Sequence, residues 1–200
     1  MAIELWAARL ERPLSGAEET ALLRLLPPER RKRLERVALA DKRREALCAY
    51  AVLLQALRER YHWREFPRIE LSSLGKPFFP DFPDVQFNLS HTAGAVLVGL
   101  SDQPVGVDIE KIRPVSARAM RQIADVTSER AFFQRWVRRE ARAKRTGSGI
   151  GTMLEGDTPL RPGEHFWPVE TFQGYVAGVA SHETVPPDPV RKYSLGEWGG

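Results

Sequence analysis

Val105-Gly106-Val107-Asp108-Ile109-Glu110 decides how the rest of this chain is read. Branched apolar residues alternate with a glycine and two acids, the period of a half-buried β-strand. Val105, Val107 and Ile109 then face a core, and Gly106, Asp108 and Glu110 share the opposite face. Two carboxylates two residues apart on a strand lie about 7 Å from one another, near enough to share one hard cation. They repel unless a metal or a basic side chain compensates. An exposed strand end with ordinary acidic residues has the same spacing. Gly106 is read here as room for the close approach of a ligand.

Outward from that strand, residues 85–89 and 95–100 read as two more, separated by Ser90-His91-Thr92-Ala93-Gly94. Residues 3–8 and 69–71 predict further strands. Ser15 with Glu18 is a capping box that opens a helix toward Leu26, and Pro27-Pro28 ends that helix and starts the next. After Asp41, the apolar residues Ala46, Leu47, Tyr50, Ala51, Leu54 and Leu57 recur at helical spacing. Residues 116–125 and 129–144 are helical, and 175–180 repeat the apolar pattern of 95–100. A helix-then-strand order that appears twice suggests two similar halves, split near Gln103, and a frayed tail is expected over 193–200.

The 200 residues carry 42% hydrophobic and 28% charged side chains, a globular balance that excludes a disordered or collagen-like chain. No stretch reaches the ~18 apolar residues of a membrane span. Glu4 and Arg9 interrupt the N-terminus, which predicts no secretory leader. Cys48 is alone, so there is no intrachain disulfide and no cysteine-based zinc site; a reducing, cytoplasmic setting is expected. Residues 30–44 hold eight basic side chains against Glu35 and Asp41, a net +6 that leaves −2 for the rest of the chain. Such a field attracts a polyanion: a phosphate-rich ligand, a nucleic acid or an acidic protein. A solvated helix face has the same composition. The segment has no aromatic residue, which argues against single-strand stacking.

Three other stretches have chemical content. Trp136, Glu140 and Lys144 follow at steps of four and share one helical stripe, either a surface ion pair or a third carboxylate delivered to Asp108 and Glu110. Asn88-Leu89-Ser90-His91 ends a strand with a histidine, which can meet a phosphate, act as a base or simply pack. Gly75-Lys76-Pro77 puts a lysine on a rigid turn.

Taken in order, Gly75-Lys76-Pro77, Asn88-Leu89-Ser90-His91, Gly106-Val107-Asp108-Ile109-Glu110 and Trp136-Val137-Arg138-Arg139-Glu140 with Lys144 resemble the Sfp-type phosphopantetheinyl transferases. The resemblance spans nearly the whole chain. It implies an α+β fold of two similar, pseudo-twofold halves, residues 1–103 and 104–200, with the active site at their interface. It implies transfer of the phosphopantetheine arm of coenzyme A to a serine of an acyl, polyketide or peptidyl carrier protein, with release of adenosine 3′,5′-bisphosphate. Asp108, Glu110 and Glu140 would hold Mg²⁺ or Mn²⁺. Arg30, Arg33, Arg44 and His91 would meet the nucleotide phosphates, with Asp108, Ser90 and the Gly75-Lys76-Pro77 turn in the same pocket. Lys144 would contact the reacting diphosphate, and Glu129, with Glu140, would serve proton transfer. A monomer is expected, with neither nucleic acid nor membrane as partner. Arg139 departs from the family's usual lysine, and the stretch from Asp125 to Trp136 is short for the family. The alternatives are an Arg-rich nucleic-acid-binding module and an inactive relative that binds coenzyme A without chemistry.

Overall fold

The first strand, β1 (Glu4–Arg9), is buried on both faces, and its alternation divides the core. Trp6 and Ala8 pack to one side, Leu5 and Ala7 to the other. The computed structural model describes residues 2–148 and 159–194. It is a mixture of helix and sheet, the α+β class expected.

Helix α1 (Gly16–Leu25) opens on the capping box: Ser15 Oγ accepts from the Glu18 amide at 3.2 Å, and Glu18 Oε2 accepts from the Ser15 amide at 2.7 Å. Pro28 opens α2 (Pro28–Glu35), where a missing N–H costs nothing. Helix α3 (Ala40–Tyr61) buries Leu47, Leu53 and Leu57 and packs on β4 (Gln86–Thr92) and β5 (Ala95–Ser101). Between them, β2 (Glu70–Leu71) and β3 (Pro77–Phe78) form a short antiparallel pair. No helix among the described residues is long and apolar enough to cross a membrane.

Strands order as β4-β5-β1-β9 in one sheet, with β9 (Arg191–Ser194) parallel to β1. A second sheet orders as β6-β8-β7, from β6 (Gly106–Lys111), β7 (His165–Val169) and β8 (Tyr175–Ser181). Between β6 and β7, α4 (Ala117–Ala119) runs into a π-helical turn, Met120–Ala124, and α5 (Glu129–Thr146) follows. Period-2 alternation stacks these parts in four layers. Val96, Val98 and Leu100 of β5 face α3, and Ala95 and Leu97 face Val107 and Ile109 of β6 and Val179 of β8. Helix α5 covers the far side of the second sheet, where Phe132, Phe133 and Val137 meet Val176. The order is therefore α3, first sheet, second sheet, α5.

The two sheets are stitched along a seam where β4 and β6 run side by side. Asn88 Oδ1 accepts from the Val107 amide at 2.9 Å, Ser90 Oγ accepts from the Ile109 amide at 3.3 Å, and Thr92 Oγ1 donates to Glu110 Oε2 at 3.1 Å. Both partners advance together, so the strands are parallel, with side chains in place of a backbone ladder. Each buried amide of β6 that β8 leaves over is thereby satisfied.

Three expectations are corrected. Ser90, His91 and Thr92 are not a linker but the end of β4; the turn is Ala93-Gly94, with Gly94 at φ +80°. The room at Gly106 is taken by protein rather than left for a ligand: a Cβ there would lie 2.0 Å from the Ala141 carbonyl oxygen and 2.3 Å from the Arg145 amide of α5. Tyr193 and Ser194 belong to β9, where the Tyr193 hydroxyl donates to Glu59 Oε1 at 2.6 Å; residues 195–200 lie outside the described residues.

Candidate active site

Strand β6 points Asp108 and Glu110 at α5, and α5 answers with the stripe Glu140 and Lys144 one turn apart. Lys144 Nζ donates to Asp108 Oδ1 at 2.6 Å and to Ser90 Oγ at 2.9 Å. Ser90 Oγ donates in turn to the same Asp108 oxygen at 2.7 Å. Asp108 is buried, and its other oxygen, Oδ2, has no hydrogen-bond partner. Glu110 Oε2 accepts from Arg113 Nη1 at 2.9 Å as well as from Thr92. Burial, then the negative charges of Asp108 and Glu110, push the Glu140 carboxyl up to about 7, against the pull of Lys144. One locus thus gathers three acids and one ammonium.

Among the described residues, no group of three or more histidine, cysteine, aspartate or glutamate side chains is arranged to hold a metal ion. The donor chemistry nevertheless suits a hard divalent cation: the buried Oδ2 of Asp108 lacks a partner, and Glu140 is driven toward neutrality by burial first and then by two neighbouring carboxylates. The Lys144 ammonium supplies the compensating positive charge at Asp108 in this arrangement.

His91, on the same strand as Ser90, sets its Nδ1 3.3 Å from Glu45 Oε2 of α3. Partial burial lowers the histidine below its ordinary range, with the Lys144 and Lys42 charges adding to this and Glu45 opposing it. His91 and Lys144 therefore share one electrostatic neighbourhood, to which β4 and α5 each contribute. Arg44, one residue before Glu45, lies 3.7 Å from Asp41 through Nη1, and its buried Nε has no hydrogen-bond partner. Arg30 is buried on α2, and its Nη2 has none either. Burial lowers the Arg30 guanidinium; the Tyr50 phenol opposes this and the Arg33 charge adds to it. Arg33 is exposed.

Lys76 and Glu129 complete the expected set. Lys76 turns inward and donates to the Val105 carbonyl at 3.0 Å and the Arg145 carbonyl at 2.8 Å, and burial, then Arg145, lowers it to about 8. It ties the start of β6 to the end of α5, with Gly75 at φ +83° and Pro77 in β3 shaping the turn. Glu129 begins α5, eleven residues before Glu140, and so roughly 16 Å up the helix axis at 1.5 Å per residue. Arg139 is buried on another face of α5 and caps the Ile123 carbonyl of the π-helical turn.

Sequence reasoning took Glu45 only as a possible ion-pair partner of Arg43 and Arg44 and passed over its burial at the start of the apolar stripe of α3. It also passed over the buried cluster in which Arg142 Nη2 meets Glu164 Oε2 at 2.8 Å and Arg145 Nη2 meets Glu164 Oε1 at 3.4 Å. No pattern joins positions 22 apart across a connection.

No family model matches the chain. Curated relatives do. The 4′-phosphopantetheinyl transferase Sfp of Bacillus subtilis (strain 168) is 25% identical, over 76% of this chain and 74% of that protein. The 4′-phosphopantetheinyl transferase psf-1 of Bacillus pumilus is 29% identical, over 85% and 84%. The 4′-phosphopantetheinyl transferase HetI of Nostoc is 27% identical, over 81% and 76%. With the four motifs in order and these likenesses spread over most of its length, the chain is a relative of the Sfp-type 4′-phosphopantetheinyl transferases, which are enzymes of the transferase class.

Proposed function

We propose that this chain moves the 4′-phosphopantetheine arm of coenzyme A onto a serine of an acyl, polyketide or peptidyl carrier protein and releases adenosine 3′,5′-bisphosphate. One observation carries the reading: Asp108, Glu140 and the Lys144 ammonium meet between β6 and α5, in a chain whose relatives are named for this transfer. The serine oxygen forms a bond to the phosphorus that bears the arm, and the bond from that phosphorus to the bridging oxygen breaks. The leaving nucleotide takes the electron pair. Lys144 neutralises the charge as it builds. The serine proton goes to a water relayed through Glu140 rather than directly to Glu129, the other candidate base, which begins α5 about 16 Å along its axis.

Asp108, Glu110 and Glu140 would hold Mg²⁺, or Mn²⁺, which when bound neutralises charge on the diphosphate. Arg30, Arg33, Arg44 and His91 bind the nucleotide phosphates beside Ser90 and the Gly75-Lys76-Pro77 turn. The unpartnered buried nitrogens Arg30 Nη2 and Arg44 Nε support this, because such donors call for an acceptor. Lys76 contributes its backbone and stem, since its ammonium is held by two carbonyls.

Residues 1–103 and 104–200 are two related halves. The support is a repeated order: β4-β5-β1 with α3 between β1 and β4, and β7-β8-β6 with α5 between β6 and β7. The site lies between them, in a cytoplasmic monomer. The test is mass spectrometry of a panel of apo carrier proteins incubated with coenzyme A, with Mg²⁺ and with a chelator. The arm's mass should appear on at least one carrier, only with metal. No gain on any carrier class with metal present would refute the proposal.

A further inference from the structure

Glu45 is the one acid among the buried side chains of α3, a helix whose other buried positions are apolar or aromatic. Its side chain is 4% exposed. A carboxylate so placed is costly unless charged or hydrogen-bonding partners meet it. Two do. Lys42 Nζ lies 3.0 Å from Glu45 Oε2, from a side chain half in water, and His91 Nδ1 lies 3.3 Å from the same oxygen. Lys42 alone could satisfy the acid at the surface; the contact to His91 instead reaches across from α3 to β4, to the strand position next to Ser90, which bonds Asp108 and Lys144.

We infer that Glu45 is a positioning residue: its carboxylate accepts the His91 Nδ1 proton, fixes the ring, and keeps Nε2 available to carry a proton toward a substrate phosphate. This rests on the proposed transfer, since it assigns His91 to the nucleotide phosphates. The physical reason is the balance of charge around the ring. Lys144 of α5 and Lys42 of α3 face His91 and disfavour a second positive charge, and partial burial does the same. Glu45 is the only acid facing the ring among the described groups that act on it, so it alone supports an imidazolium there. When a phosphate arrives, a histidine already anchored at Nδ1 gains a proton at Nε2 without reorienting.

The consequence is specific. Loss of the Glu45 charge weakens coenzyme A binding and leaves the reacting groups, Lys144 and Asp108, in place. For Glu45→Gln we expect the KM for coenzyme A to rise about tenfold, the size of a lost charge-assisted hydrogen bond, with kcat within about twofold. Glu45→Asp, which keeps the charge on a shorter stem, should recover part of that loss. A second readout does not depend on turnover: ¹⁵N-histidine NMR titration, with His91 assigned by its absence in His91→Gln. In the wild type the ring should hold its neutral-state proton on Nδ1, and in Glu45→Gln its protonation midpoint should fall by about one pH unit. An unchanged His91 midpoint, or kcat and KM lost together with thermal stability, would overturn the inference. If the wild type labels no carrier, the transfer reading fails by itself, and the NMR titration still decides the Glu45–His91 pair.

Discussion

Replacing Gly106 by alanine tests whether β6 and α5 must touch for the site to exist. An alanine Cβ at this position would sit 2.0 Å from the Ala141 carbonyl oxygen, 2.3 Å from the Arg145 amide and 2.8 Å from the Arg145 Cα. All three atoms are backbone, so no rotamer change relieves the overlap. Helix α5 would have to retreat by about 1 Å, and overpacking that only a backbone shift can relieve costs about 3 kcal/mol, the top of the usual range. In a chain of this length that corresponds to a melting temperature lower by roughly 6–12 °C. The retreat also opens the contact of Lys144 with Asp108, now 2.6 Å. A misplacement of about 1 Å at a reacting centre can remove 10²-fold in rate. The assay is thermal unfolding beside carrier labelling at a temperature where the variant is folded. A Gly106→Ala protein with an unshifted melting temperature and undiminished labelling would refute the close packing of α5 on β6.

Further outcomes follow from other contacts. Lys144→Met should cut single-turnover labelling by about 10²–10³-fold, with Lys144→Arg intermediate. Burial alone would raise Glu164, but the Arg142 hydrogen bond, the Arg161 amide and the charges of Arg142 and Arg145 outweigh it and hold the carboxyl at about 2. Its folded value lies below its unfolded one, so its stabilisation is complete above about pH 5 and is lost as the pH falls toward 2. Urea midpoints should therefore fall over that window in the wild type and fall less in Glu164→Gln, which starts about 3 kcal/mol less stable at pH 7. Asn88→Ala leaves the buried Val107 amide without its acceptor; it should cost about 1–3 kcal/mol, and hydrogen exchange at Val107 should accelerate more than at amides of β7.

Local rules placed most elements. The Ser15 capping box, Pro28 at a first helical turn and the alternation of β6 act over a few residues, so the chain itself contains them. The stripe of Trp136, Glu140 and Lys144 was likewise readable, because a step of four residues only slightly exceeds one helical turn. What short-range pattern could not supply was which elements meet. Ser90, His91 and Thr92 read as a loop because polar residues in a row suggest one; in the fold they are strand residues whose side chains do the bonding across the seam to β6. Lys76 read only as a lysine on a rigid turn, placed in the pocket by the resemblance; that its ammonium also ties β6 to α5 came from the fold.

From the sequence alone came the alternating acids of β6, the acid and ammonium one turn apart on α5, and the order of motifs that marks the chain as a transferase relative. Only the tertiary structure decided that α5 lies so close on β6 that Gly106 admits no side chain, that Lys144 takes Asp108 as its partner, and that Glu45 stands behind His91. The reason is range: a period is set by neighbours in the chain, whereas pairings between residues 36 or 46 positions apart are set by how the layers pack.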